Sequence, residues 1–176
     1  MSHIVIAPFS NSDIRDWPAG HYGALIGLLL AAWDGAIHIV GAPNQSIRAR
    51  EIVRLFDPTR VINHVGRAPW QDTMHLIRSA SCVIGNNSGV AHVAAFEDVP
   101  TICLFSGAHQ RWEWRPIGER VVTVSRAIAC APCYLHHAAH CPNGLACLDQ
   151  IAPQTVLETI LNCIGKAPME RFADVA

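Results

Sequence analysis

Short, unbroken apolar runs alternate with longer helical patterns along almost the whole chain, and this alternation restricts the fold more than any other feature. Residues 3–8 (HIVIAP), 36–40 (AIHIV), 60–65 (RVINHV), 82–85 (CVIG), 100–105 (PTICLF) and 120–124 (RVVTV) read as strands. Helical patterns cover 19–33, 44–56, 71–80, 89–97 and 153–164. Apolar strands without clean polar alternation are buried on both faces, as in parallel sheets covered by helices. The repeated β-α order predicts an α/β fold with a doubly wound, mainly parallel sheet. A chain of 176 residues makes one such domain, expected over 1–165, with the non-periodic 166–176 as a tail. Ligands of such sheets bind beyond the C-terminal ends of the strands.

Composition removes several function classes. Thirteen basic against fourteen acidic residues leave a formal charge of −1, without the basic excess a nucleic-acid binder needs. Hydrophobic residues at 51% and charged residues at 15% exclude a disordered chain. The longest apolar run, 22–33, falls short of the roughly 20 residues that span a bilayer, so no integral membrane segment is expected. With no signal-peptide pattern, the chain reads as cytoplasmic, where cysteines serve as metal ligands or buried thiols more often than as disulfides. All basic residues but Lys166 are Arg, whose forked guanidinium suits fixed contacts to phosphate.

One turn carries the clearest ligand chemistry. Gly85-Asn86-Asn87-Ser88-Gly89-Val90-Ala91-His92 follows a strand and opens a helix. Asn and Ser favour N-cap positions, and Gly lets backbone approach a ligand closely. A helix N-terminus carries partial positive charge and free N–H groups, which attract phosphate. His92 lies one turn after Ser88 on the same helix face. An ordinary βα turn would use the same residues.

The segment GNNSGVAHVAAFEDVPTICLF resembles the D-S-G-x-x-H-x-A-A…P-x-x-x-L-F signature of glycosyltransferase family 9, the ADP-heptose:lipopolysaccharide heptosyltransferases and their relatives. Residues 4–18 (IVIAPFSNSDIRDWP) resemble the family's opening strand and its loop ending in basic-x-Trp-Pro. Residues 39–45 (IVGAPNQ) resemble its Gly-rich turn ending in Glu. The resemblance implies the Rossmann-like C-terminal half of a GT-B fold, the half that binds the nucleotide-diphosphate sugar, here ADP-heptose-like. It implies donor contacts from Arg15, Gln45, Asn87, Ser88, Gly89, His92, Ser106 and Gly107, and a place in lipopolysaccharide biosynthesis. The acceptor and the catalytic carboxylate belong to the family's N-terminal half. Catalysis is therefore expected to need such a half, supplied by another chain or a longer one. The alternative is a non-catalytic nucleotide-sugar-binding module or a subunit completing a partner's cleft. Three positions depart from the family pattern: Asn87 stands for Asp, Arg15 for Lys and Gln45 for Glu. In the loop 105–116, Arg111 and Arg115 flank Trp112 and Trp114, a pattern that suits either phosphate contact or self-stacking.

Cys130-x₂-Cys133-x₇-Cys141-x₅-Cys147 places four thiols within one short segment, which also resembles the family's Cys-rich tail. A Cys-x₂-Cys turn presents two sulfurs to one ion, and a second pair completes a tetrahedron. Zinc is the default for four thiolates and iron fits the same geometry. The resemblance adds weight to iron, because heptosyltransferases acting on autotransporters carry a four-cysteine iron site in a comparable region. His136, His137 and His140 lie within the segment as substitute ligands; disulfides and free thiols are the other readings. Cys82, Cys103 and Cys163 read as core.

Overall fold

The computed structural model describes residues 2–165 and 174–175. Six parallel strands form the sheet: β1 (His3–Ala7), β2 (Ala36–Ile39), β3 (Val61–Asn63), β4 (Cys82–Asn86), β5 (Thr101–Phe105) and β6 (Val121–Arg126), with the two-residue β7 (Asp174–Val175) pairing beside β6. Their spatial order is β3-β2-β1-β4-β5-β6-β7, all pairs parallel. The chain moves outward from β1 to β3, then returns across the sheet to β4 on the other side of β1. That reversal opens a crevice beyond the C-terminal ends of β1 and β4. The expected doubly wound α/β sheet is present, and most of the expected tail, residues 166–173 and 176, lies outside the described residues.

The helices are α1 (Ala19–Ala32), α2 (Ser46–Val53), α3 (Trp70–Arg78), α4 (Gly89–Phe96), α5 (Arg111–Trp114), α6 (Ala146–Asp149) and α7 (Pro153–Gly165). Side chains alternate between the faces of each strand, so each strand feeds two cores. Ile4, Ile6, Ile37, Ile39, Ile84, Ile102 and Leu104 face the layer that holds Leu25, Ile26 and Leu29 of α1 and Val156 and Ile160 of α7. Val5, Ala7, Val40 and Val83 face Ile77 of α3 and Ala94 of α4. Burying each large aliphatic side chain contributes about 1.5–3 kcal/mol. This two-sided burial is why the strands read as continuous apolar runs. The short α5 and α6 escape sequence reading because four residues hold no periodicity.

Three histidines line the β3 side of the sheet. His3 Nε2 lies 2.9 Å from the Leu76 carbonyl, and His38 Nδ1 lies 2.8 Å from His64 Nε2 with the two rings nearly coplanar. Burial lowers the pKa of His38 to about 4, with His3 and His64 acting in the same direction, and burial lowers His64 as well. In the unfolded chain histidine titrates near 6.5. Between these values the unfolded state holds more protons, so the neutral pair's contribution is complete above pH 6.5 and lost as pH falls toward about 4. Urea unfolding at stepped pH is expected to show this slope, and His38→Gln to flatten it. An equal slope in the variant would place the effect elsewhere.

Candidate functional site

A cavity of about 600 Å³ opens at the crevice between the ends of β1, β2 and β4. Its walls come from the loop after β1 (Phe9, Ser10, Asn11, Arg15), the turn after β2 (Gly41, Ala42, Pro43, Gln45), the start of α3 (Trp70, Thr73) and the start of α4 (Ser88, Gly89, Val90).

A buried polar knot holds the first of these loops. Asn86, at the end of β4, is fully buried and uses both ends of its amide. Its Oδ1 accepts from the Trp17 N–H at 3.0 Å and the Tyr22 hydroxyl at 2.9 Å. Its Nδ2 donates to the Pro8 carbonyl at 2.9 Å and to Asp16 Oδ1 at 3.2 Å. Asp16, also buried, accepts from the Ser10 N–H and hydroxyl through Oδ1 and from Arg48 Nη2 at 2.9 Å through Oδ2. Arg48 in turn lies over the Phe9 ring at 4.2 Å. Burial, and secondarily the Asp16 charge, raises the Tyr22 phenol well above its usual pKa, so it stays a donor. Both ends of the loop, at Pro8 and Ser10 and at Asp16 and Trp17, are thereby referenced to β4. Gly85 permits the strands to meet, since a Cβ there would stand 2.9 Å from the Ala7 carbonyl oxygen.

At the start of α4, two polar atoms have no protein partner. Arg15 donates through Nη1 to the Asn87 carbonyl at 3.1 Å, but its Nε is buried and unpaired. Ser88 holds the N-cap position in extended geometry, yet its Oγ makes no capping bond and is also buried and unpaired. Buried polar groups normally find partners, so an unsatisfied guanidinium N–H and a hydroxyl beside a helix N-terminus suit an anion. A Cβ at Gly89 would meet nothing within 4 Å, so its surroundings are open to a ligand. His92 Nε2 lies 3.1 Å from Asn87 Oδ1, and burial, with Arg15 next, lowers the ring's pKa.

Of the expected contacts, Arg15, Gln45, Ser88 and Gly89 meet in this cavity, while Asn87, His92, Ser106 and Gly107 stand outside its walls. Gln45 Oε1 accepts from the Ala42 N–H at 2.9 Å, and Nε2 donates to the Ser10 carbonyl at 3.2 Å. A carboxylate could not make that second bond, so Gln45 braces the β1 and β2 loops together. Gly107 faces the cysteine segment: a Cβ there would stand 3.0 Å from Ala131 Cβ and 3.6 Å from Cys147 Sγ. Ser106 Oγ is 3.3 Å from the Ala108 N–H. Arg111 Nη1 donates to Ser125 Oγ at 2.8 Å. Trp17 is a buried anchor whose Nε1 donates to the Ile151 carbonyl at 3.1 Å.

Cys130, Cys133, Cys141 and Cys147 line one small separate cavity, together with Ile14, Gly107 and Ala108. Asn143 Nδ2 donates to Cys130 Sγ and the Leu145 N–H to Cys141 Sγ, each at 3.4 Å. Burial pushes the Cys147 thiol up, the facing Cys141, Cys133 and Cys130 push the same way, and a hydrogen bond with the Gly107 backbone opposes them. All seven cysteines are free, and among the described residues no three His, Cys, Asp or Glu side chains are drawn together as a closed ligand set. Cys82, Cys103 and Cys163 are buried as expected, and burial raises Cys103 to about 12.

The model of glycosyltransferase family 9 (heptosyltransferase) matches residues 2–145, most of the chain and every residue lining the cavity at the ends of β1, β2 and β4. The chain belongs to glycosyltransferase family 9. A Haemophilus influenzae protein named only as a glycosyltransferase is 28% identical over 125 residues, covering 70% of this chain and 35% of that protein. E. coli ADP-heptose lipopolysaccharide heptosyltransferase II superposes with a TM-score of 0.78 at 20% identity, over 93% of this chain and 46% of that one. E. coli heptosyltransferase WaaC, solved with ADP, gives 0.70 at 21% identity, over 92% and 44%. The iron-containing dodecameric glycosyltransferase TibC of E. coli gives 0.67 at 17% identity, over 93% and 45%. This family 9 chain therefore spans about half the length of the solved relatives.

Sequence reading missed Asp16, Asn86 and Trp70 in this family 9 site. Asp16 stands in a polar loop and Asn86 in a polar turn, so nothing in the sequence marks either as buried. Asn86→Ala strands the Tyr22 hydroxyl, the Trp17 N–H and the Pro8 carbonyl, and unmet buried groups cost about 1–3 kcal/mol each. Denaturant unfolding is expected to show a loss of roughly 3 kcal/mol; a loss under about 1 kcal/mol would contradict the knot's role.

Proposed function

We propose that this chain is the donor-binding half of a glycosyltransferase that takes an ADP-heptose-like nucleotide sugar in lipopolysaccharide assembly, in the cytoplasm. The buried, unpaired Arg15 Nε and Ser88 Oγ at the α4 N-terminus carry the reading. They are the two partners a diphosphate would satisfy. The exposed Trp70 and Pro43 across the cavity offer apolar faces to a base. The cavity's size suits a nucleotide sugar. WaaC is solved with ADP and TibC with ADP-D-β-D-heptose, which supports the same donor class here.

The chemistry follows from charge. When the sugar–phosphate bond breaks, negative charge grows on the leaving diphosphate. Arg15 and the N–H groups opening α4 stand preorganised to stabilise it, which is electrostatic catalysis. His92 is assigned no base role: its Nε2 is engaged with the Asn87 side chain at 3.1 Å. The acceptor and its base are assigned to an N-terminal GT-B half outside this chain's span.

Titration calorimetry with ADP, UDP and GDP is expected to give binding strongest for ADP. Arg15→Ala is expected to weaken it by about 1.5–3 kcal/mol, the worth of a hydrogen bond to a charged group. Absence of heat with every nucleotide, or unchanged affinity in the variant, would overturn the donor reading.

We further propose zinc or iron at Cys130, Cys133, Cys141 and Cys147, in a structural role. The support is that the four cysteines line one small cavity, with N–H donors placed on two of the sulfurs, and that the iron-containing TibC is among the similar folds. The ion would neutralise thiolates that otherwise repel one another. Elemental analysis is expected to find about one equivalent of metal per chain; metal-free protein with four titratable thiols would refute it.

A further inference from the structure

The loop after β1 has two working faces. Ser10, Asn11 and Arg15 line the donor cavity. Ser12, Asp13 and Ile14, between them, turn to the four-cysteine segment. Ser12 Oγ donates to the His136 carbonyl at 3.2 Å, and Asp13 Oδ1 accepts the Ala138 N–H at 3.0 Å. His137 Nδ1 stands 3.9 Å from the same Asp13 oxygen. Ile14, 2% exposed, forms part of the wall of the cysteine cavity. A second strap runs from Cys133 N–H to the Gly107 carbonyl at 3.0 Å and from Tyr134 N–H to the Ala108 carbonyl at 2.9 Å. The Ser12 and Asp13 contacts join parts of the chain more than a hundred residues apart, at the loop that carries Arg15.

We propose that Asp13, with Ser12 and Ile14, is a positioning contact through which the four-cysteine segment holds the Arg15 loop against the donor, so that closure of the segment sets nucleotide affinity. The proposal rests on the donor reading above. The polar knot at Asn86 and Asp16 fixes both ends of the loop, at Pro8 to Ser10 and at Asp16 to Trp17, and reaches residues 11–14 through short-range bonds alone: Ser10 Oγ with the Ser12 carbonyl and N–H, and the Asp16 N–H with the Asp13 carbonyl. The middle of the loop takes its cross-chain hydrogen bonds from the cysteine segment. Because one rigid element contacts both sites, coupling is reciprocal: what favours closure favours the nucleotide, and the nucleotide favours closure.

The test measures ADP affinity by calorimetry for the wild-type chain, Asp13→Ala, Asp13→Asn, the pair Cys130→Ser/Cys133→Ser, and the combination of that pair with Asp13→Ala. Asp13→Ala is expected to raise the ADP Kd about fivefold, at the low end of site-to-site coupling. Asp13→Asn keeps an oxygen acceptor for the Ala138 N–H and is expected to restore most of the affinity. The cysteine pair is expected to weaken ADP similarly and to speed hydrogen exchange across residues 10–16. In the combined variant the losses should fall short of adding, because both changes break the same link. ADP should also raise the apparent affinity of the wild-type chain for zinc by the same factor as zinc raises that for ADP. Wild-type affinity in Asp13→Ala, failure of Asn to rescue, or fully additive losses would overturn the coupling while leaving the donor site intact. Failure of the wild-type chain to bind ADP would overturn both. Asp13 is exposed, so its variants keep the test valid even if the cysteine changes impair folding.

Discussion

A fully buried amide, Asn86, sits where the sheet reverses direction, and the site depends on how that amide is satisfied. The crossover from β3 to β4 leaves a crevice at the ends of β1 and β4 whether or not a ligand is needed. A crevice alone gives loops with no defined position. Asn86 spends its amide on the loop after β1, at Pro8, Asp16 and Trp17, and on Tyr22 in α1. Asp16 extends the knot to Ser10 and Arg48. The cost of leaving any of these groups unpaired in the core is what makes the loop conformation definite. Arg15, one residue before Asp16, is therefore held at the cavity with one nitrogen bonded to Asn87 and another unpaired.

The departures from the family pattern make sense against this frame. Arg15 in place of Lys keeps a cation and spreads it over three nitrogens, so it can hold the Asn87 carbonyl through Nη1 while presenting Nε elsewhere. Gln45 in place of Glu supplies an N–H that ties the Ser10 carbonyl to the β2 turn. Asn87 in place of Asp removes a charge beside His92, whose pKa is lowered by burial and by Arg15. The three changes exchange carboxylate interactions for amide and guanidinium ones without emptying the cavity of polar contacts.

The layered α/β fold was legible because β1 to β6 are buried on both faces and carry an apolar signal that few other architectures produce. That Ser88 and Gly89 face a crevice was legible from a helix opening directly after a strand, and Arg15 beside them was named by the resemblance alone. Asp16 and Asn86 were not legible. A buried polar residue looks like a surface one in a sequence, and only its partners, up to 78 positions away, reveal its role. The close approach of Gly107 to Ala131 and Cys147 had no signal either, because a glycine marks tight packing but not what packs against it. The cysteine spacing placed four thiols in one short segment, but did not show that the cavity they line shares Ile14 with the loop that carries Arg15.

A crystal structure of this chain with ADP tests the central claim most directly, because the claim concerns two named atoms. The account predicts the diphosphate at the start of α4, with phosphate oxygens within hydrogen-bond distance of Arg15 Nε and Ser88 Oγ, and the base between Trp70 and Pro43. Nucleotide bound elsewhere, or bound with those two atoms still unpaired, would contradict it.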